Sequence, residues 1–425
     1  MTAGTADISG RDIMTTETMG TPQDAPHKDI SVRVTMICFL IVMIDGYDSL
    51  MVGYIAPLIA RGWGLHPQDI GKLFAICYVG AILGAIAMGP LADRIGRRPM
   101  MIAALALATV ATALCATASS FEQLMLYRFI AGIALGGALP AVSSLTAEHA
   151  RPEKRSGTVT LMYIGYPTGA VVGGAVTAGL LHHGWPTIFM ATAVACAFAL
   201  GIAFLLPETY HPRGTPVHQP ALRRLTSTFT EQFAEGRLWP GLTLWLGLFC
   251  LMLLVYFLVN WSPSILVASG ATPGVAALAG VALNLGGIVG ALALAPAINR
   301  FGPYRPVAIL VGIGTLAVAA LGLNLHSTLA TMTLLFMAGV AVMGGQLNFP
   351  AMTVELYPQH VRGAGSGWTV GMGRIGSIVG PLLGGVLIGA GLGSGSLFLF
   401  AAIPALVACG ALFLASRRRE HGASA

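Results

Sequence analysis

The sequence predicts an all-α membrane protein, with twelve transmembrane helices in two pseudo-symmetric six-helix bundles. Three observations carry this. Of the 425 residues 55% are apolar and only 9% charged, with a mean hydropathy of +0.77, too little charge to clothe a water-facing surface. Twelve apolar stretches have the roughly 20-residue length that crosses hydrocarbon. The first half of the chain also recurs in the second.

The stretches fall at 32–56, 70–91, 100–118, 122–146, 157–180 and 186–206, then at 238–260, 272–298, 305–324, 328–350, 364–390 and 396–416. The 55 glycines suit helices packed closely in lipid, where small residues let backbones approach. Between the two sets lies "PETYHPRGTPVHQPALRRLTSTFTEQFAEGR", polar and rich in Pro and Thr. The organisation expected is a tail at 1–31, an N-terminal bundle at 32–206, a linker at 207–237, a C-terminal bundle at 238–416 and a tail at 417–425. Residues 1–30 mix acids with bases, and the first apolar run lacks a small-residue cleavage site, so no removable signal peptide is expected. Cys38, Cys77, Cys115, Cys196, Cys250 and Cys409 stand singly in apolar segments, without a CxxC pair. Neither a disulfide framework nor a metal site is expected, and no cofactor.

Basic residues report orientation. Of the 23 Lys and Arg, Arg61 and Lys72 fall on one face, Arg128 and Arg374 lie inside segments, and the other nineteen fall in alternate connections or termini. Lys and Arg concentrate on the cytoplasmic side. Both termini and the central linker are therefore expected in the cytoplasm, with the protein in the inner membrane of a bacterial-type cell. The net charge of +6 is a topology signal, not a nucleic-acid footprint.

The repeat is specific. "VGAILGAIAMGPLADRIGRRP" recurs as "LGGIVGALALAPAINRFGPYRP", matching Gly80, Gly84, Pro90, Arg94 and Gly96 to Gly286, Gly290, Pro296, Arg300 and Gly302 at an offset of 206. "TAEHARPEKRSG" recurs as "TVELYPQHVRGAG", matching Glu148 and Arg155 to Glu355 and Arg362 at an offset of 207. Two six-helix halves facing the same way are the arrangement of transporters whose site lies at the midplane between halves.

"GPLADRIGRR" resembles the loop signature of the major facilitator superfamily between its second and third helices, and it falls between the second and third segments here. "RFIAGIALGG" followed by "RPEKRSG" resembles that superfamily's fourth helix and its exit. More narrowly, "DGYD" in the first helix, "NWSPSIL" after the seventh, "GGQLNFPAMTVELYP" in the tenth and "GRIGSIVGP" in the eleventh resemble the aromatic acid:proton symporter family. The resemblance covers residues 32 to 416. It implies the major facilitator fold, transport of a small aromatic carboxylate such as a benzoate, hydroxybenzoate or hydroxyphenylpropionate, and a functional requirement for both aspartates of the "DGYD" motif. One departure is Asn299, where the family often carries an acid in the second copy of the loop signature.

The residues themselves point the same way. A charged side chain at the bilayer centre costs about 2.5–3.5 kcal/mol on insertion scales, so Asp45 and Asp48 must face the bundle interior. Three residues apart, they share one helical face. Neighbouring carboxylates resist double ionisation in low dielectric, which suits a proton carrier; the competing reading is a structural ion pair with a buried arginine. Which of the two cycles a proton stays open. Every histidine lies in a loop, a terminus or a segment end, so carboxylates are the candidate proton carriers.

Arg374 lies about 15 Å deep in the eleventh segment, where a planar guanidinium could take a substrate carboxylate in two hydrogen bonds. The alternatives are a permanent partner for an aspartate or a lock between halves. Arg128, nearer the external end of the fourth segment, is read either as a binding or gating residue or as a helix-packing one. Tyr256, Asn260 and Trp261 at the external end of the seventh segment, the amides Asn284, Gln346 and Asn348, and Tyr166 at the repeat position of Gly373 complete the candidate substrate set. Interfacial aromatics and interhelical hydrogen bonds are the competing readings for these. Asp93, Arg94, Arg97, Arg98, Glu148 and Arg155, with Glu355 and Arg362, form a candidate cytoplasmic gate.

No HExxH, GxSxG or GxxxxGK[ST] motif is present, which argues against an enzyme and against an ATP-driven pump. The expected function is import of an aromatic carboxylate by proton symport through alternating access. A proton-coupled antiporter or exporter of drugs or other organic anions on the same fold is the alternative. The expected partners are the small substrate, protons and the lipid bilayer, with the protein a monomer and no nucleic acid bound.

Overall fold

The computed structural model describes residues 24–151, 155–207, 233–234, 236–323 and 327–422, and every regular element among these is helical. Among the described residues twelve helices are long and apolar enough to cross a membrane. In chain order they are α1 (Asp24–Trp63), α2 (Pro67–Ile95), α3 (Arg97–Ala116), α4 (Phe121–His149), α5 (Arg155–Leu180) and α6 (Trp185–Ala203). The second half comprises α7 (Leu238–Ala268), α8 (Pro273–Phe301), α9 (Tyr304–Leu321), α10 (Thr328–Leu356), α11 (Gln359–Gly389) and α12 (Ser394–Gly422). The expected tails and linker fall largely outside the described residues. An even number of crossings puts both ends of the bundle on one side, the terminal side, and the turns after α1, α3, α5, α7, α9 and α11 on the other, the far side.

The helices outrun the apolar windows. α1 runs on to Trp63, and α7 continues through Pro263 to Ala268. This relocates Asn260 and Trp261, expected at the end of the seventh helix; they lie eight and seven residues inside it, roughly 10–12 Å deep. Prolines inside transmembrane helices are tolerated because neighbouring helices shield the freed backbone groups. α10 is the irregular member, with a π-helical turn at Gly339–Met343 and a break at Asn348 between Leu347 and Phe349.

The sequence repeat reappears as a repeat of contacts. Gly80 lies on the backbone of Phe129 and Ile133, and Gly84 on Ile133; their counterparts Gly286 and Gly290 lie on Phe336 and Val340. Likewise Gly169 meets the Met43 backbone and Gly173 the Tyr47 ring, while Gly376 meets Phe249 and Gly380 meets Leu253. Each pair is related by the same 206–207 residues. A side chain at these glycines would collide with a neighbouring helix, with its backbone at all but Gly173, so they set how closely α2 crosses α4, α1 crosses α5, and the second-half equivalents cross. Gly96 (φ 102°) and Gly302 (φ 74°) make the matching turns after α2 and α8, in the left-handed region that favours glycine.

The halves meet on the far side. A Cβ added at Gly71 of α2 would stand 2.9 Å from the Pro381 carbonyl of α11, and one at Gly385 of α11 would stand 2.8 Å from the Pro67 carbonyl. Gly53 of α1 similarly abuts Val259 and Asn260 of α7, and Gly174 of α5 abuts Val281 of α8. Outward-turned side chains such as Val110, Val194, Phe198, Ile309, Leu316 and Leu406 on α3, α6, α9 and α12 give the protein its apolar exterior.

Candidate functional site

The two aspartates of α1 occupy different environments. Asp48 is fully buried inside the first half, where Arg128 Nη1 donates to its Oδ2 at 2.9 Å and the Thr112 hydroxyl donates to Oδ1 at 2.8 Å. Arg128 Nη2 also donates to the Asp48 carbonyl at 3.2 Å and lies 3.3 Å from Cys77 Sγ, and its guanidinium sits 5.9 Å from the centre of the Phe189 ring. Five helices thus wrap one ion pair. Arg128, read from the sequence as either a binding or gating residue or a packing one, is at 0% exposure, held by Asp48, and is not among the residues that line the pocket at Asp45.

Asp45 faces the space between the halves. Its Oδ1 accepts from the Ser49 hydroxyl at 3.2 Å, while Oδ2 is buried with no hydrogen-bond partner among the described residues. A small pocket at Asp45 is lined by Ser49, Cys77, Tyr78 and Tyr166 from the first half and by Arg374 from the second. Arg374 sits halfway along α11, partly exposed, with Asp45, Tyr163, Tyr166 and Tyr256 as its electrostatic neighbours. The close crossing of Gly46 against the Tyr166 backbone puts the α5 tyrosine beside the aspartate. The pocket therefore combines one cation, one carboxylate with a vacant hydrogen-bonding oxygen, and phenol hydroxyls in apolar walls. Those groups match an anion bearing a ring with polar substituents in chemistry but not in size: the pocket is closed down to about 10 Å³, the room of a single water, and has to widen to admit a ring.

The softer candidates divide. Asn260 is fully buried; its amide donates to its own helix at Tyr256 O (2.7 Å) and across the halves to the Tyr78 hydroxyl (3.3 Å). Trp261 donates to the Pro381 carbonyl of α11 at 2.9 Å and meets Phe74 of α2 edge-on at 5.4 Å, and Tyr78 meets Tyr256 edge-on at 4.6 Å. These residues form a partition between α2 and α7 on the far side of the pocket. Asn284 bonds back within its helix to Gly280 O at 2.8 Å, while Asn348 donates both to Gly344 O of its own helix at 2.9 Å and across to Ala291 O of α8 at 3.5 Å. Asn284 Oδ1 and Gln346 Oε1 remain buried without hydrogen-bond partners among the described residues. Neither residue lines the Asp45 pocket.

On the terminal side Arg97 pairs with Glu148, tying the turn after α2 to the end of α4, and Arg98 Nη2 donates to the Phe204 carbonyl at 2.8 Å. Arg94 and Arg155 are exposed, and Arg362 Nε donates to Tyr357 O at 3.1 Å. Glu355 stands close to the Gly302 turn. The Asp93 side chain lies outside the described residues. Residues that the sequence reading missed are Ser49, Phe74, Tyr78, Thr112 and Tyr163. The repeat offset of 206 held a signal for one of them, since it maps Asn284 onto Tyr78.

Known proteins fit this geometry. The family model described as Major Facilitator Superfamily matches residues 38–367 and 265–425. The chain belongs to the major facilitator superfamily. Within it, the chain groups with aromatic acid transporters. It is 30% identical over 410 residues to the 4-hydroxybenzoate transporter PcaK of Pseudomonas aeruginosa, covering 90% of this chain and 92% of that protein. It is 32% identical to a gallate transporter of Pseudomonas putida (88% and 89% covered) and 33% identical to a 3-(3-hydroxy-phenyl)propionate transporter of Escherichia coli (91% and 94%). The fold matches the nucleoside transporter NupG with a TM-score of 0.75 at 13% identity, covering 91% of this chain and 99% of the other. A bacterial homologue of the lysosomal transporter Spinster, described as inward-facing and occupied, gives 0.71 at 17% identity, with 92% and 97% covered. This major facilitator protein is a multi-pass membrane transporter, not an enzyme.

Proposed function

We propose that this transporter imports a small aromatic carboxylate together with a proton, by alternating access of one central site to the two sides of the membrane. The observation that carries the reading is the facing pair of Asp45 from the first half and Arg374 from the second, in one pocket. An ionised Asp45 and an incoming carboxylate compete for the same guanidinium. Protonating Asp45 releases Arg374 to take the substrate in a two-pronged contact, so anion and proton load together and the site's net charge is conserved. The tyrosines around Arg374 supply ring contacts and hydroxyls for a substituted aromatic ring. The relatives named for hydroxybenzoate, gallate and hydroxyphenylpropionate support this substrate class.

In this reading the far side is the outside, because Lys and Arg concentrate at the terminal side, and the closed far-side contacts represent the inward-directed half of the cycle. Asp48 is a positioning residue, held by Arg128. Purified protein in proteoliposomes with an imposed inward-acid gradient tests the proposal: uptake of labelled 4-hydroxybenzoate, gallate or 3-(3-hydroxyphenyl)propionate above equilibrium, collapsed by a protonophore, is expected. Outward movement against the acid gradient would show the antiport alternative instead.

A further inference from the structure

Far-side charge is scarce. Among the described residues its Asp, Glu, Lys and Arg are Arg61, Asp69, Lys72 and Glu122, and Lys72 is already paired with Asp69 at 2.9 Å. Arg61, in the last turn of α1, is exposed and makes no hydrogen bond or ion pair among the described residues. It lines a cavity of about 450 Å³ between α1, α2, α7, α11 and α12. The other walls are mainly apolar, including Pro57, Leu65, Ile265 and Leu392, and Trp261 forms part of them. The same Trp261 packs against Phe74 and is anchored to Pro381 in the partition above the Asp45 pocket. One unpaired cation over an apolar hollow of ligand size, backed by an indole, is the make-up of a site for an amphipathic anion.

We infer that this cavity is an outer binding site for the aromatic carboxylate, in which Arg61 takes the carboxylate and the ring lies against the Trp261 wall, on the far side of the closed partition. The inference rests on the proposed substrate class and extends it to a second site. Two physical consequences follow. A solvent-exposed guanidinium contributes modestly, so this site is weaker than the central one and serves to concentrate substrate at the partition. Because Trp261 belongs to both the cavity and the partition, a ligand there touches the residue that has to move for the central site to open outward.

Thiol protection tests this separately from transport. Ser264 lines the cavity, and the six native cysteines are buried except Cys409, which is half-buried. In reconstituted full-length Ser264→Cys protein, a membrane-impermeant thiol reagent is applied from the far side with 4-hydroxybenzoate, gallate, 3-(3-hydroxyphenyl)propionate or the neutral 4-hydroxybenzamide. At least one acid is expected to slow labelling and the amide to do little. Adding Arg61→Gln should raise the half-protecting concentration by about fivefold, roughly the worth of an exposed ion pair. Adding Arg374→Ala should leave it unchanged. Absence of protection by an acid that the protein accumulates overturns the outer site and leaves the transport reading intact. Equal protection by the amide, or loss of protection with Arg374→Ala, also overturns it. Protection without accumulation upholds the site and sinks the transport reading, and absence of both sinks the two together.

Discussion

Arg128 and Asp48 are joined 2.9 Å apart in the interior of the first bundle with side-chain exposures of 1% and 0%, while Asp45, one helical turn earlier, keeps an unpaired oxygen at the cavity between the bundles. Two carboxylates on one helical face therefore have separate surroundings. The partner decides. Asp48 meets α3 and α4, whose Thr112 and Arg128 satisfy it, whereas Asp45 meets Ser49 and the inter-half pocket.

Asp45→Asn should abolish gradient-driven accumulation, because an amide keeps the shape but cannot cycle a proton, while exchange of labelled for unlabelled substrate persists. Proteoliposome accumulation and counterflow, measured side by side, check this. Full accumulation by the variant would remove Asp45 from the coupling role.

Asp48→Asn should act on stability. It leaves Arg128 charged and uncompensated in the interior, a change that typically costs about 3–5 kcal/mol. The expected result is a strongly lowered melting temperature and poor yield, with partial recovery in Asp48→Asn/Arg128→Gln, where no lone charge remains. A single variant that melts like the native protein and fails only in proton coupling would reverse the assignment of the two aspartates.

The architecture was legible in the sequence because hydropathy and the repeat are averages over many residues. The twelve helices, the glycine crossings and the paired turns at Gly96 and Gly302 all follow from patterns spread along the chain. The site was legible only as a set of polar residues in apolar segments. Which partner each one meets depends on helix rotation and crossing, so the pairing of Arg128 with Asp48 rather than with a ligand stayed one of two open readings. Thr112 gave no signal at all, since threonines also bond back within apolar helices, as Thr109 does to Leu105 O at 2.7 Å. The partition at Tyr78 and Asn260 was half visible, because Asn260 is a conspicuous amide while a tyrosine in an apolar helix is not.

Loosening that partition should favour the outward-open state. The Phe74 and Trp261 rings meet edge-on at 5.4 Å across the halves, a contact worth about 0.5–1.5 kcal/mol, or roughly 2- to 12-fold in a population ratio. Phe74→Ala loses at least this and should increase the reactivity of a thiol introduced at Ser49 toward a reagent added from the far side. Unchanged reactivity would mean that these rings merely fill space in both states.

Glycines on one helix should differ sharply in tolerance. A Cβ at Gly84 of α2 would press into the Ile133 backbone of α4, which cannot yield without separating the helices, whereas Gly89 on the same helix has nothing within 4 Å of the added atom. Gly84→Ala is expected to destabilise by about 1–3 kcal/mol, and Gly89→Ala to be neutral or stabilising by up to about 1 kcal/mol through helix propensity. Thermal melts of the two purified variants in detergent check the contrast. Equal effects would mean that α2 and α4 can re-space.

Arg374 separates charge from geometry. Lysine keeps the positive charge but loses the planar fork that binds both carboxylate oxygens. Arg374→Lys should therefore weaken binding of the aromatic carboxylate substantially, and Arg374→Ala should nearly abolish it. Truncating one partner of a desolvated charge pair costs about 2–5 kcal/mol, or roughly 30-fold to several thousand-fold in affinity. The neutral amide of the same acid should bind poorly to the native protein and lose little further in either variant, because its contacts do not use the fork. Arg374 also neighbours Asp45, so its removal leaves that carboxylate without its cation, and the alternative role as a fixed partner predicts a loss of thermal stability that no ligand restores. Calorimetric binding to folded Arg374→Ala decides between the two roles: native affinity for the acid, with a lowered melting temperature, would make Arg374 a structural partner of Asp45 and remove it from the substrate site.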